Sequence, residues 1–197
     1  MDLSYNSVNS FPIKIKIMEI LKSIQRRYSV RKYASDTVER EKLERCLEAA
    51  RMAPSACNAQ PWKFIVVDDP TLKEQVSRAA KHLSFGFNNF VDEAPVMIVM
   101  VLEPANVSSE FGSKVKRKHY PLIDIGIAAE HFCLQATEEG LGTCLLGWLN
   151  EKMVKKDLNI PARRRVPLMI SVGYPATDKQ KSKKRKALDK IVSYNAY

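Results

Sequence analysis

An apolar helical pattern at residues 122–139 limits the fold of this chain more than any other stretch. Its apolar side chains recur at spacings of three and four, as in an α-helix, but they cover most of the circumference instead of one stripe. Such a helix needs neighbours on several sides, so it is predicted to lie in the middle of a core or at an interface. The apolar positions are Ile123, Ile127, Ala128, Phe132, Cys133 and Ala136.

Helical and strand patterns follow one another irregularly along the rest of the chain. The predicted helices are 13–25, 40–52, 70 to about 82 and 151–157. The predicted strands are 62–67, 96–102, 143–146 and 166–172. Without a regular βαβ repeat, the pattern favours an α+β fold with helices around a central mixed sheet. The 197 residues show no linker, so a single domain, 1–197, is expected.

The formal net charge of +10 is concentrated in two basic clusters, at 114–118 and 179–186. Such clusters suit an anion site, a nucleic-acid patch or a solvated surface. Neither cluster has the interleaved aromatic residues of a nucleic-acid reader, so no nucleic-acid partner is predicted. Cysteine and histidine spacing indicates no metal site, and Cys46 and Cys133 fall on apolar helix positions, as core residues do.

No apolar run reaches the length of a membrane span, and the N-terminus has no signal-peptide core. We therefore expect a cytoplasmic protein without a membrane partner.

Arginines dominate the segment that follows the first predicted helix. Arg27 and Arg31 are four residues apart and would converge on one anion if the segment turns, with the Ser29 hydroxyl as a further donor. The planar guanidinium gives a phosphate two parallel charge-assisted hydrogen bonds. These residues fit a solvated surface stretch equally well.

Residues 53–62 form a Pro/Ser/Asn/Gln turn after the second helix. The carboxamides of Asn58 and Gln60 donate and accept hydrogen bonds, which matches the polar edge of a flat heterocycle without adding charge. Pro54 offers an apolar surface to a ring. Taken alone, the segment is better explained as an ordinary turn between a helix and a strand.

Two later segments carry weaker signals. A glycine after a strand, as at Leu146-Gly147, lets a ligand approach the backbone, although it more often only turns the chain. Lys183 and Arg185 would close a phosphate site opened by Arg27 and Arg31, or belong to a solvated basic tail.

The order and spacing of these segments together resemble the nitroreductase family of FMN enzymes. The resemblance runs from residue 18 to about 191, and its most specific part is Ala53-Pro54-Ser55 with Asn58 and Gln60-Pro61-Trp62. Further matching segments are Arg26 to Arg31, the helix opening at Asp124-Ile125-Gly126, Gly140-Leu141-Gly142, Gly147-Trp148 and Gly173-Tyr174-Pro175. Residues 1–12 match nothing and are expected to be flexible.

The resemblance implies an interlocked homodimer with FMN at the subunit interface. Leu188, Ile191 and Tyr194, at helical spacing, give the tail too much apolar surface to be solvated, so residues 179–197 are predicted to pack on the partner subunit. The implied phosphate and ribityl ligands are Arg27, Tyr28, Ser29, Arg31, Lys183 and Arg185. The implied contacts to the ring are Pro54, Ser55, Asn58 and Gln60, with Leu146 and Gly147 at the reactive edge. Some of these residues would come from the other subunit.

The resemblance also implies the reaction. NAD(P)H would reduce FMN, and a nitroaromatic, quinone or similar small acceptor would then be reduced in a ping-pong cycle. No side chain is expected to act as a catalytic acid or base. The alternatives are other flavin chemistry on the same fold (reductive dehalogenation, flavin breakdown or an oxidase reaction) and a basic nucleic-acid-binding protein.

Overall fold

Four antiparallel strands form the centre of the protein in a computed structural model that describes residues 13–81, 87–104, 119–177 and 183–197. The strands are β1 (Trp62–Val67), β2 (Val96–Leu102), β3 (Gly142–Leu146) and β4 (Arg165–Gly173). They lie in the order β1-β2-β4-β3, and all three ladders are antiparallel. A single parallel bridge, between Ser29 and Thr143, adds the segment after the first helix to the edge of β3.

Five α-helices of the described residues surround the sheet. They are α1 (Ile13–Arg26), α2 (Arg40–Arg51), α3 (Pro70–Arg78), α4 (Tyr120–Glu138) and α5 (Glu151–Asp157). These bounds confirm the predicted helices and the α+β class, except that α3 ends at Arg78 and not near residue 82. Asp69 caps α3 by accepting a hydrogen bond from the Leu72 N–H at 2.8 Å.

Each face of the sheet is covered by helices. One core joins α2 and α4 to the face that carries Val96, Ile98 and Met100. The second core joins α3 and α5 to the opposite face, with Met97 and Val99 at its centre. Every residue of β2 from Val96 to Val101 is therefore buried, which explains its unbroken apolar sequence.

Helix α4 lies in the middle of the first core, as its apolar pattern predicts. Ala128, Phe132 and Cys133 are completely buried. Its first turn is different, because Leu122 and Ile123 are 46% and 55% exposed. The helix ends before Gly140, whose φ of +77° is the left-handed conformation that favours glycine after a helix.

The C-terminal residues do not form the helix that their apolar spacing suggests. A short 3₁₀ turn covers Leu188–Lys190, and Leu188, Ile191 and Tyr194 are exposed. Three other expectations lie outside the described residues. They concern residues 1–12, the basic cluster 114–118 and the part of the tail at 179–182.

A carboxylate joins the two helices of the first core. The Arg45 guanidinium of α2 donates two hydrogen bonds to Glu139, each 2.8 Å long, and Gln135 of α4 donates a third. These contacts lower the pKa of Glu139 to about 2, and the Arg45 hydrogen bonds have the largest effect. Glu139 is thus held in its charged form where α4 ends beside α2.

We predict that Glu139 gives the protein part of its resistance to acid. A carboxylate whose pKa is lowered on folding stabilises the folded state above its unfolded pKa of about 4.3, and this contribution is lost as the pH falls towards 2. Glu139→Gln should therefore lower the melting temperature at pH 7 and show a shallower loss between pH 5 and 2, in thermal denaturation followed by circular dichroism. Parallel melting curves for the variant and the wild type would contradict this role. Glu44→Gln, on the exposed face of α2, is the control and should leave the melting curves unchanged.

Candidate functional site

The segment Arg27–Arg31 runs alongside β3 as an extended chain. The Val30 N–H donates to the Thr143 carbonyl at 2.9 Å, next to the bridge between Ser29 and Thr143. Successive side chains of an extended chain point to opposite sides. Arg27, Ser29 and Arg31 therefore share one side through alternation, whereas the sequence analysis let the arginines converge only if the segment turns.

The buried thiol of Cys144 on β3 reports this arrangement. Burial raises the pKa of Cys144, and the Arg31 charge, the Ser29 hydroxyl and the Arg27 charge all oppose that rise. All three side chains therefore lie near the same strand. We call Arg27, Ser29 and Arg31, together with the tail residues described below, the cationic face.

Tyr28 and Val30 lie on the other side of the segment. The Tyr28 hydroxyl donates to the Thr177 carbonyl at 3.4 Å, and Val30 is buried with Tyr33 and Ala94. Val30 packs directly on Gly142, where an added Cβ would lie 2.5 Å from Val30 Cγ2. Glycine at 142 thus permits the close approach that holds the segment against β3.

Two tail residues extend the cationic face. The Lys183 ammonium donates to the Ile24 carbonyl at 2.6 Å, in the last turn of α1. Burial lowers the pKa of Lys183, and the nearby charges of Arg27 and Arg185 lower it further. Lys183 and Arg185 are thus brought to Arg27, although 156 or more residues separate them along the chain.

One carboxylate faces these cations. Glu130 Oε1, on α4, lies 3.2 Å from Arg27 Nε. The Arg27 side chain is 19% exposed and that of Glu130 is 43% exposed. The sequence analysis did not single out Glu130. A glutamate among the apolar residues of α4 was the only available signal.

The predicted amide turn has an unusual backbone. Cys57, Asn58 and Gln60 have φ angles of 51°, 51° and 46°, in the left-handed region that side chains other than Asn and Asp rarely adopt. The Ser55 hydroxyl accepts from the Gln60 N–H at 3.0 Å, and Gln60 Nε2 donates to Asn58 Oδ1 at 3.1 Å. Pro54, Asn58 and Gln60 are exposed. Left-handed backbone at non-glycine residues concentrates at functional sites, where the surroundings enforce it.

Asp124, in α4, anchors this turn through a hydrogen bond to its backbone. It is 3% exposed, and its Oδ1 accepts from the Ala56 N–H at 3.1 Å. Its Oδ2 is buried and has no hydrogen-bond partner among the described residues. Burying a carboxylate oxygen without a hydrogen bond costs free energy, so its presence calls for a structural or functional reason. The sequence analysis used Asp124 only as part of a family motif.

Helix α4 thus supports both parts of the candidate site. Asp124 contacts the amide turn and Glu130 contacts the cationic face. Their separation of six positions corresponds to about 9 Å along a helix axis.

Leu146 and Gly147 lie at the end of β3, where the chain leaves the sheet. The Leu146 side chain is buried in the second core, so only its backbone is available to a ligand. Gly147 is exposed, and an added Cβ would meet no atom within 4 Å. The open position agrees with a ligand approaching the backbone there.

Two further searches of the described residues found nothing. No helix in those ranges is long and apolar enough to cross a membrane. In the same part of the chain, no group of His, Cys, Asp and Glu is arranged to hold a metal ion.

The helix-covered antiparallel sheet defines an α+β protein, with cations beside β3 and an amide turn anchored to α4. Comparison with protein families matches residues 24–174 to the nitroreductase family. The chain therefore belongs to the nitroreductase family, and it is an oxidoreductase of that family.

Individual relatives agree with this membership. The FMN-dependent nitroreductase of Clostridium difficile R20291 has a similar structure, with a TM-score of 0.72, 30% identity and coverage of 90% of this chain and 99% of its own. An NADH dehydrogenase of Thermus thermophilus is 28% identical over 191 residues, which cover 83% of this chain and 90% of that protein. An iodotyrosine deiodinase of Thermotoga neapolitana is 26% identical over 193 residues, covering 88% and 96%.

We predict that Asp124 holds the amide turn in place through its hydrogen bond to Ala56. Asp124→Ala should accelerate amide hydrogen exchange at residues 56–60 by about tenfold or more, because a buried hydrogen bond is lost. Asp124→Asn keeps an oxygen acceptor and should change exchange much less. Ser77→Ala, which removes another buried oxygen without a partner in the described structure, is the control and should leave the turn unchanged. Equal exchange in Asp124→Ala and wild type would refute the anchoring role.

Proposed function

We propose that the protein is an FMN-dependent oxidoreductase that transfers reducing equivalents from NAD(P)H to a nitroaromatic, a quinone or a similar small acceptor. The observation that carries the proposal is the cationic face. Pairing of the segment with β3 puts Arg27, Ser29 and Arg31 on one side, and the Lys183 hydrogen bond to Ile24 brings the tail to the helix that leads into this segment. Family membership and the FMN-dependent relative support the same cofactor.

The donor chemistry of the cationic face fits the phosphate of FMN. Guanidinium groups bind phosphate oxygens through paired, charge-assisted hydrogen bonds, and Ser29 supplies a neutral donor between the two arginines. The Tyr28 side chain is directed to Thr177, so we assign it a backbone contact only.

The amide turn fits the polar edge of the flavin ring. Asn58 and Gln60 present both donors and acceptors, and they now bond to each other, an arrangement that a ligand can replace. Pro54 and Ser55 lie beside them, and the Asp124 anchor keeps the turn fixed. Gly147 leaves room for the ring at the end of β3.

The chain's own groups bind and orient, and they provide no evident acid or base. When bound, FMN would accept and donate the reducing equivalents. Among the proposed site residues, those at the ring edge (Pro54, Ser55, Asn58, Gln60 and Gly147) are uncharged. We therefore propose that solvent supplies the protons and that the protein contributes position and electrostatic environment.

We further propose a homodimer that shares the site between subunits. Several large apolar side chains are exposed on the single chain, and a subunit interface would cover them. They follow α2, begin α4, follow β3 and lie in the tail: Met52, Leu122, Ile123, Trp148, Leu188 and Ile191. Some of the site residues would then come from the partner subunit, as the family resemblance implies.

Reductive dehalogenation is the second candidate function. It is supported by the similarity to the iodotyrosine deiodinase of Thermotoga neapolitana. The same cationic face and amide turn would hold FMN, and only the acceptor would differ.

The cofactor assignment predicts a yellow protein that releases FMN on denaturation. The double variant Arg27→Ala/Arg31→Ala should bind FMN at least about a hundredfold more weakly, because each arginine contributes charged hydrogen bonds of roughly 1.5–3 kcal/mol. Fluorescence titration of the apoprotein measures this. Arg26→Ala is the matched control, since Arg26 pairs with Glu138 instead. Full flavin retention by the double variant would overturn the phosphate assignment.

The acceptor assignment predicts NAD(P)H oxidation with nitrofurazone or a benzoquinone in steady-state assays of the FMN-loaded protein. Initial rates at several concentrations of both substrates should give the parallel double-reciprocal lines of a ping-pong cycle. Negligible turnover by a protein that retains FMN would favour the deiodinase alternative, which halotyrosine reduction by dithionite then tests.

A further inference from the structure

The cationic face contains an acidic residue as well as its cations. Glu130 Oε1 is 3.2 Å from Arg27 Nε, a distance that makes the two groups an ion pair. Arg27 is the more buried member of the pair, because 19% of its side chain is exposed, against 43% for Glu130. In the free protein, Glu130 therefore provides the countercharge of Arg27.

The surrounding charges show why such a carboxylate matters. Arg27 and Arg185 disfavour the charged form of Lys183, and Glu130 acts on Lys183 in the opposite direction. Like charges brought together repel one another, and a nearby anion relieves that repulsion. Glu130 thus does for the free cationic face what a phosphate would do for the liganded one.

A phosphate and Glu130 compete for the positive charge of Arg27. The Arg27 guanidinium carries five N–H donors in a fixed fork, and the Glu130 carboxylate lies on its Nε side. A phosphate dianion on the remaining donors would lie beside the negative carboxylate and be repelled by it.

We propose that Glu130 is an internal counter-ion that a phosphate group must displace from Arg27, so that it weakens and tunes phosphate binding at the cationic face. The proposal rests on the proposed function for the identity of the phosphate carrier, FMN. Glu130 is a positioning residue, since it acts through Arg27.

A second ion pair on α4 provides a matched comparison. Glu138 Oε1 lies 2.6 Å from Arg26 Nη2, and its side chain is 42% exposed, against 43% for Glu130. The two glutamates are alike in exposure, although Arg26 is 49% exposed against 19% for Arg27, and Glu138 also accepts hydrogen bonds from Arg26 and Ser23. Glu138 pairs with Arg26, which is not among the residues of the cationic face.

The experiment compares Glu130→Gln and Glu138→Gln with the wild-type protein. FMN affinity is measured by fluorescence quenching with the apoprotein, and riboflavin serves as the analogue without phosphate. Glu130→Gln should bind FMN about threefold more tightly or better, the size expected for a partly exposed charge. It should bind riboflavin as the wild type does, and Glu138→Gln should leave both affinities unchanged. Unchanged or weaker FMN binding by Glu130→Gln, an equal gain for riboflavin, or an equal gain for Glu138→Gln would overturn the proposal.

Inorganic phosphate separates this proposal from the flavin assignment. Free Glu130→Gln should melt at a lower temperature than the wild type, and saturating phosphate should raise its melting temperature by more. If phosphate stabilises the wild type but FMN does not bind, the flavin assignment fails. The role of Glu130 is then still tested by whether phosphate raises the melting temperature of Glu130→Gln by more than that of the wild type. If neither ligand binds, both proposals fail. If Glu130→Gln does not fold, Glu130→Asp withdraws the carboxylate by one methylene and should show a smaller gain in FMN affinity; a loss would overturn the proposal.

Discussion

Burial of α4 against one face of the sheet is the constraint on which the rest of the structure depends. Phe132 and Cys133 are inaccessible to solvent, and their burial fixes the rotation and depth of the whole helix. Two charged residues of α4 are consequently presented at defined positions, Asp124 beneath the amide turn and Glu130 beside Arg27. A hydrophobic requirement therefore sets the geometry of the polar site.

The cationic face shows how charge and packing act together. Arg27, Lys183 and Arg185 would not collect without compensation, because like charges repel. Backbone pairing of Val30 with Thr143, and the absence of a side chain at Gly142, hold one part of the face to β3. Glu130 and the Ile24 carbonyl offset the remaining positive charge. A phosphate ligand would complete this balance, which is why we propose FMN for this face.

Sequence patterns were sufficient for the secondary structure and for the family. The strand at Val96–Leu102 and the helix at Glu151–Asp157 have the predicted bounds, since the local periodicity and the flanking turns there agree. The tail differs, because Leu188 and Ile191 have helical spacing but form only a short 3₁₀ turn and are exposed, and its packing on a partner subunit stays a prediction. The sequence analysis let Arg27 and Arg31 converge only if their segment turns, whereas alternation along an extended chain puts them on one side.

The sequence by itself determined the fold class, the membership of the family and the residue types available for a phosphate and a ring. The tertiary structure decided which of those residues meet. Lys183 reaches Arg27 across most of the chain, Leu146 is turned into the core, and Glu130 and Asp124 become parts of the site. The physical reason is that periodicity and turn chemistry are local, whereas contacts between distant segments depend on how buried faces pack against one another.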